Sequence, residues 1–225
     1  MRKLFVGIFF LAIYFFVSAV IYFFSAGRYD LPLAWFYFAA NFSFGFVSSF
    51  FIHRASPDLI AERFRPGPGE QDRVFKIGII ILTIATLVLA GLDVGRYHWT
   101  GPVTLNAQLA ALIVVFLGYA LTHWAVLTNR FFSSAVRLQP DRHQVVVETG
   151  PYAYIRHPGY AGAIPYLALS GLALGSWLST LVTAIPIILL TIRRTILEDA
   201  MLRKGLAGYE AYAARVKYRL LPGLW

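Results

Sequence analysis

Residues 143–162 read HQVVVETGPYAYIRHPGYAG, a polar stretch that lies between hydrophobic runs. Pro158 suits the first turn of a helix, where its missing N–H removes no hydrogen bond. Arg156 and His157 are therefore expected at the N-terminus of that helix. Free backbone N–H groups, the helix dipole and the Arg guanidinium all favour an anion at this position. The stretch thus predicts a site that binds an anion such as a carboxylate.

The whole sequence is too apolar for an ordinary soluble domain. Its 225 residues are 58% hydrophobic and 14% charged, whereas about 25% of the residues in soluble domains are charged. The absence of cysteine excludes a disulfide framework, a thiolate nucleophile and a Cys-ligated metal. The formal net charge is +9, but the basic residues are scattered over polar segments without an aromatic-interleaved basic face. We therefore expect a membrane protein with the lipid bilayer as its partner and no nucleic-acid partner.

Six apolar runs come close to the roughly 20 residues with which a helix crosses about 30 Å of hydrocarbon. The first run is longer than the core of a signal peptide, so we interpret it as a retained helix. Only Gly175 and Ser176 join the last two runs, which predicts a tight antiparallel hairpin. The polar segment 53–73 is interpreted as a connector, with a cover over a site as the alternative. The runs are residues 4–25, 33–52, 75–92, 103–127, 158–174 and 177–192.

These runs predict an all-α integral membrane protein of about six transmembrane helices, followed by a C-terminal cytoplasmic helical segment. We expect a single membrane domain over 1–225, with four spans in 1–128 and the helical hairpin and polar tail in 129–225. If the N-terminus is cytoplasmic, all of the 20 Lys and Arg residues except Arg28 and Arg96 lie on cytoplasmic segments. This asymmetry predicts that both termini are cytoplasmic.

Three motifs in the second half of the chain resemble the isoprenylcysteine carboxyl methyltransferase family of integral membrane enzymes. They are Gly150-Pro-Tyr-x-Tyr-x-Arg-His-Pro-x-Tyr-x-Gly162, the acidic pair Glu198-Asp199, and Gly208-Tyr-x-x-Tyr212. The motifs stand in the family's order, and the resemblance covers roughly residues 120–225. Asn129-x-Phe-Phe-Ser133 also looks like the bacterial members. The resemblance implies methyl transfer from S-adenosylmethionine to a lipophilic or prenylated acceptor, such as the carboxylate of an isoprenylcysteine-like substrate.

The residues in these motifs offer partners for each part of such a cofactor. His157 with nearby backbone amides can bind a carboxylate, Glu198 can bind an ammonium group, and tyrosines can stack on adenine or donate to ribose. By resemblance, arginines hold the carboxylate of the acceptor. The predicted catalytic residues are Arg156, Arg194 and Glu198. The predicted cofactor-binding residues are His143, Val145, Gly150, Tyr152, His157, Tyr160, Glu198, Tyr209 and Tyr212.

The acidic pair departs from the family's pattern, in which the second residue is usually Glu. Because Asp199 has a shorter side chain, Glu198 receives more weight as a functional residue. Asp199 and Arg203 stand four residues apart in the favourable order for a helical ion pair, which fits a purely structural role. No second His or carboxylate stands at ligand spacing from His157, so no metal site is predicted.

Other functions fit the same scaffold. These are methylation of a phospholipid or a small thiol, hydride transfer as in membrane sterol reductases, and a non-enzymatic scaffold or channel. No clear nicotinamide-binding signature is present. No acid, Lys or Arg stands at the middle of a predicted span, which argues against an ion path. The identity of the methyl acceptor stays open.

Overall fold

Helices are the regular elements of this computed structural model, which describes residues 2–55, 59, 70–133 and 135–225. A π-helical turn, Asp93–Tyr97, continues the third helix, and short 3-10 turns cover Pro140–Arg142 and Gly150–Ala153. No strand occurs within these described ranges, and the predicted all-α fold is confirmed. The helices are α1 (Arg2–Ala26), α2 (Pro32–Ala55), α3 (Glu70–Leu92), α4 (Leu105–Thr128), α5 (Pro158–Ala168), α6 (Ser170–Ala173), α7 (Trp177–Gly205) and α8 (Tyr209–Arg215).

Within the described residues, five helical segments are long and apolar enough to cross a membrane. Large apolar side chains such as Phe16 and Phe24 are 70% and 75% exposed on their outer faces, as expected where lipid replaces water. The prediction of six spans is not confirmed. The segments are Leu4–Ala26, Pro32–Ala55, Arg73–Tyr97, Leu105–Thr128 and Trp177–Gly205.

The missing span is the predicted run 158–174, which the structure divides between α5 and α6. Pro165 lies inside α5 and has no N–H to donate to the preceding turn. The helix has only 11 residues, a length of about 16 Å, or about half of the hydrocarbon thickness. Most of the connector predicted at residues 53–73 lies outside the described residues.

Helix α5 is fixed against α4 by a close backbone contact between two glycines. A Cβ on Gly118 would lie 2.5 Å from the carbonyl oxygen of Gly162, and a Cβ on Gly162 would lie 2.3 Å from that of Gly118. Thr122 Oγ1 on α4 donates to the carbonyl of Gly159 at 3.2 Å. Small residues and hydroxyl groups allow this approach between membrane helices. The contact holds the N-terminus of α5, and with it Arg156 and His157, against the bundle.

The predicted hairpin is present between α6 and α7. Gly175 has a φ of 95°, and Ser176 Oγ accepts from the N–H of Ser179 at 3.0 Å as the N-cap of α7. Ser176 Oγ also donates to Asp93 Oδ2 at 2.6 Å, while Thr100 donates to the same aspartate through N–H at 2.8 Å and Oγ1 at 2.5 Å. We call Asp93, Thr100 and Ser176 the Asp93 cluster. It ties the α3–α4 connection to the hairpin at one end of the bundle.

The seventh helix is the longest described, with 29 residues. It begins beside Asp93 and carries the acidic pair near its other end. At about 1.5 Å per residue it is about 43 Å long, longer than the roughly 30 Å hydrocarbon core of a bilayer. The same helix therefore includes an apolar section and a charged section.

Candidate active site

Asp199 on α7 is the centre of a buried charge cluster at the end of the bundle opposite Asp93. Its side chain is 1% exposed. Arg156 donates to it from Nε at 2.8 Å and from Nη2 at 3.3 Å. Three further groups donate to Asp199: the Tyr209 hydroxyl at 2.9 Å, Arg203 Nε at 3.1 Å and Arg219 Nε at 3.2 Å. The Nε2 atom of His157 lies 3.3 Å from Oδ1 of the same carboxylate. We call these six residues the Asp199 cluster.

This cluster changes the interpretation of the anion site predicted at the start of α5. The anion beside Arg156 and His157 is the chain's own carboxylate, Asp199. The backbone amides of Arg156 and His157 donate to the carbonyls of Tyr218 and Arg219, both at 2.9 Å. These two amides are thus occupied by residues 216–225, which we call the C-terminal tail.

Arg156 is also bound to that tail through its side chain. Its Nη1 donates to the carbonyls of Val216 at 2.7 Å and Lys217 at 2.8 Å. With the two bonds to Asp199, four of the five guanidinium N–H groups are engaged within the protein. Because Arg156 is 5% exposed, it joins α5, α7 and the tail into one unit.

A second polar chain lies about one turn earlier along α7. Arg194 Nε donates to the hydroxyl of Tyr160 at 2.7 Å, and that hydroxyl donates to Glu198 Oε2 at 2.6 Å. The guanidinium carbon of Arg194 lies 4.4 Å from the centre of the Phe75 ring, a cation–π contact. Arg194 is 5% exposed. Tyr160 thus connects Arg194 with Glu198, which stand four residues apart on α7.

A cavity of about 90 Å³ lies beside both polar groups. One wall is formed by residues 129, 131–133, 135–137, 139 and 144–147, and Met201, Leu202 and Leu206 on and beside α7 contribute apolar surface. Most of the predicted site residues come together here. Those that line the cavity are Val145, Tyr152, Arg156, His157, Tyr160, Glu198, Tyr209 and Tyr212.

Three predicted residues do not line this cavity. His143 is exposed and ends a 3-10 turn with a φ of 50°. Gly150 has a φ of 57°, and a Cβ there would lie 2.9 Å from Thr128 Oγ1, so the site requires glycine for the turn and for the close contact. Arg194 donates to the hydroxyl of Tyr160, which does line the cavity.

Burial raises the pKa of the Tyr152, Tyr209 and Tyr212 phenols above its usual value. All three are therefore neutral at physiological pH and can donate a hydrogen bond. Tyr209 donates to Asp199, and Tyr212 donates to the carbonyl of Tyr152 at 2.8 Å. Their hydroxyl groups serve the fold, which leaves their rings as the surface that they offer to a ligand.

Sequence reasoning gave too little weight to Asp199 and missed Arg219 and Gln139. Asp199 is the most connected carboxylate of the site, and its ion pair with Arg203 is present at 3.1 Å. Gln139 is 1% exposed and organises the wall segment, because its Nε2 donates to the carbonyl of Phe131 at 2.7 Å and its N–H to Gln144 Oε1 at 2.8 Å. Arg219 stands 20 residues from Asp199, and the two partners of Gln139 stand eight and five residues from it, so none of the motifs read from the sequence indicates these contacts.

Known proteins resemble the part of the chain that carries this site. Residues 110–204 match the sequence model of the isoprenylcysteine carboxyl methyltransferase family. A relative, the Protein-S-isoprenylcysteine O-methyltransferase of Schizosaccharomyces pombe, is 30% identical over 111 residues, which are 48% of this chain and 47% of the relative. The alignment thus spans about half the length of that relative. The family resemblance drawn from the motifs is confirmed, and the matched region contains α5 and the acidic pair.

Proposed function

We propose, from the match of residues 110–204 to the isoprenylcysteine carboxyl methyltransferase family, that this protein is a membrane methyltransferase. In this proposal it uses S-adenosylmethionine at the cytoplasmic membrane face, and the acceptor is the carboxylate of a lipophilic, isoprenylcysteine-like substrate. One observation carries the proposal: His157 and Tyr160 of one family motif and Glu198 of another line the same cavity. The Lys and Arg asymmetry supports the cytoplasmic orientation of that face and of both termini.

Methyl transfer to a carboxylate depends on the positions of the two reactants more than on acid–base catalysis. When bound, S-adenosylmethionine supplies an electrophilic methyl group and a neutral thioether leaving group. A carboxylate acceptor already has its lone pair, so the protein needs no base to remove a proton. Its residues must hold the two reacting atoms about 3 to 3.5 Å apart and exclude water. The buried polar groups around the cavity, fixed by the Asp199 cluster, suit this task.

The side chains that line the cavity match the chemical groups of the cofactor. Glu198 would bind the ammonium group, and His157 lines the same cavity. The tyrosine rings and Val145 offer apolar surface for an adenine ring. Small-molecule pockets usually measure about 300 Å³ or more, so a nucleoside would occupy more space than the roughly 90 Å³ of this cavity.

The two arginines have different surroundings, and we propose different roles for them. Arg156 is bound to Asp199 and to two tail carbonyls, so its role is to hold the parts of the site together. Arg194 lies one turn nearer the apolar section of α7, where a lipophilic acceptor would arrive from the bilayer. In this proposal Arg194 binds the carboxylate of the acceptor.

Calorimetry with S-adenosylhomocysteine tests the proposal on the purified chain in detergent and in lipid nanodiscs. We expect saturable binding by the unchanged protein and loss of that binding in Glu198→Ala. Glu148→Ala is the matched control, because Glu148 is exposed and pairs with Arg215 outside the cavity. Absence of binding by the unchanged protein in both media would reject the proposal. Transfer of labelled methyl to a prenylcysteine, an amine lipid and a small thiol, compared side by side, identifies the acceptor.

A further inference from the structure

The hydroxyl of Tyr160 is the point at which α5 meets the charged section of α7. It lies 2.7 Å from Arg194 Nε and 2.6 Å from Glu198 Oε2. Residues 194 and 198 are four apart, so they lie on one face of α7 about one turn from each other. A single phenol on the neighbouring helix thus contacts both.

The direction of these two hydrogen bonds is fixed by chemistry. Arg194 Nε can only donate, so the oxygen of Tyr160 accepts there. The phenol has one hydrogen, and an ionised carboxylate can only accept, so that hydrogen points to Glu198. Both bonds involve a charged partner, and a chain of this kind strengthens each of its members. The chain therefore holds the positions of both charged groups.

Tyr160 lines the cavity, whereas Arg194 does not. The Tyr160 ring lies 6.0 Å from the ring of His157 at an interplanar angle of 26°, and 6.4 Å from that of Phe75 in an edge-on arrangement. Glu198 also lines the cavity, while Arg194 stacks on Phe75. The hydroxyl of Tyr160 thus joins the two side chains that the proposed function assigns to the cofactor and to the acceptor.

We propose that Tyr160 is a positioning residue that sets the separation between the cofactor-binding carboxylate, Glu198, and the acceptor-binding guanidinium, Arg194. The inference rests on the proposed function and adds to it, because the sequence had suggested only a contact between Tyr160 and the cofactor. Tyr160→Phe removes the hydroxyl and keeps the ring. The ring then still lines the cavity, but Glu198 and Arg194 lose their common anchor.

The first test compares kcat with cofactor affinity in Tyr160→Phe, with a farnesylated cysteine as acceptor. A misplacement of about 1 Å costs about 100-fold in rate, so we expect kcat to fall by about 10- to 100-fold. The Kd for S-adenosylhomocysteine should change by less than about threefold, since the ring stays at the cavity and the ligand loses no direct contact. Tyr154→Phe, at an exposed tyrosine of the same motif, is the control for folding and activity.

The outcomes separate this inference from the proposed function. If the unchanged protein does not bind S-adenosylhomocysteine, the proposed function fails. If it binds and turns over but Tyr160→Phe keeps kcat within twofold, the positioning role is wrong. A parallel loss of kcat and cofactor affinity would also overturn it, because Tyr160 would then be a cofactor ligand.

A double-mutant cycle with Glu198→Gln gives an independent readout. Glutamine can still accept from the phenol but has no charge. If Tyr160 acts through Glu198, the double variant should be about as slow as the slower single variant, because residues that act as a unit are not additive. A rate loss equal to the product of the two single losses would contradict the inference.

Discussion

Two aspartates are buried at opposite ends of the same helical bundle, and their partners differ in charge. Asp93 is 2% exposed and Asp199 is 1% exposed. Asp93 accepts from the hydroxyls of Thr100 and Ser176 and from a backbone amide. Asp199 accepts from three guanidinium groups and a phenol. The first carboxylate is stabilised by neutral dipoles and the second by full positive charges.

Cavity size and the family motifs select opposite ends of the molecule. The cavity beside Asp93 measures about 580 Å³, and the cavity beside Asp199 about 90 Å³. The larger one is lined mainly by apolar side chains and backbone, and residues 93–103 around it lie outside the segment that matches the family. The smaller one collects the family motifs and an excess of positive charge. Charge and motif, more than volume, therefore identify the candidate active site.

Asp199→Asn should have the largest effect, since it leaves the buried Arg156 without its counter-ion. Removal of one partner of a buried ion pair typically costs about 3–5 kcal/mol of unfolding free energy. We expect a loss of this order in detergent, together with loss of S-adenosylhomocysteine binding. Asp199→Glu restores the family's usual acid and is the control, with a smaller loss. A stability within about 1 kcal/mol of the unchanged protein, a loss typical of a neutral hydrogen bond, would contradict a structural role for the cluster.

Arg156→Lys should have an intermediate effect, because it keeps the charge but removes the planar fork. Lysine has three donors in a compact group and cannot reach Asp199 and the carbonyls of Val216 and Lys217 together. Two or three lost hydrogen bonds at about 1 kcal/mol each predict a loss of about 2–3 kcal/mol. Limited proteolysis should show faster cleavage after residue 215 as the tail detaches. Equal protection of the tail in both proteins would show that charge alone holds it.

Asp93→Asn should have the smallest effect of the three. An amide can accept from the Thr100 amide and donate to hydroxyl oxygens that can rotate, so the loss should be about 1–2 kcal/mol, as for a partly satisfied polar group. Binding of S-adenosylhomocysteine should not change, since Asp93 contacts Ser176 at the start of α7. Asp199 lies about 35 Å further along that helix. Asp30→Asn, at an exposed ion pair with Arg28, is the baseline and should leave both quantities unchanged. A binding defect in Asp93→Asn would show that the two ends are coupled.

The sequence was sufficient for the long helices and the hairpin because apolar length and a two-residue link are local properties. It did not reveal the break between α5 and α6, since a proline within an apolar run is also compatible with a continuous membrane helix. Family motifs located Tyr160 and Glu198 at the cavity. The short side chain of Asp199 led the sequence analysis to give it little weight. Its role depends on Tyr209 of α8 and Arg219 of the tail, which contact it only in the folded protein.

Contacts between distant segments explain the remaining differences. Arg219 stands 20 residues from Asp199 and its backbone carbonyl accepts from His157. In the sequence alone, Arg219 is one of several basic residues that set the topology. Only the folded tail makes it part of the site.

The length of α7 has a consequence for the surroundings in which the protein works. One continuous helix carries the outward-facing Leu181, Ile185 and Leu189, which are 61% to 68% exposed, and then Glu198 and Asp199. A helix that is too long or too short for its bilayer tilts or shifts along the membrane normal. Because no loop separates the two sections, such a movement carries the acidic pair with it. Hydrophobic mismatch, set by the acyl-chain length of the host lipids, would thus change the height of the candidate site relative to the surface of the bilayer.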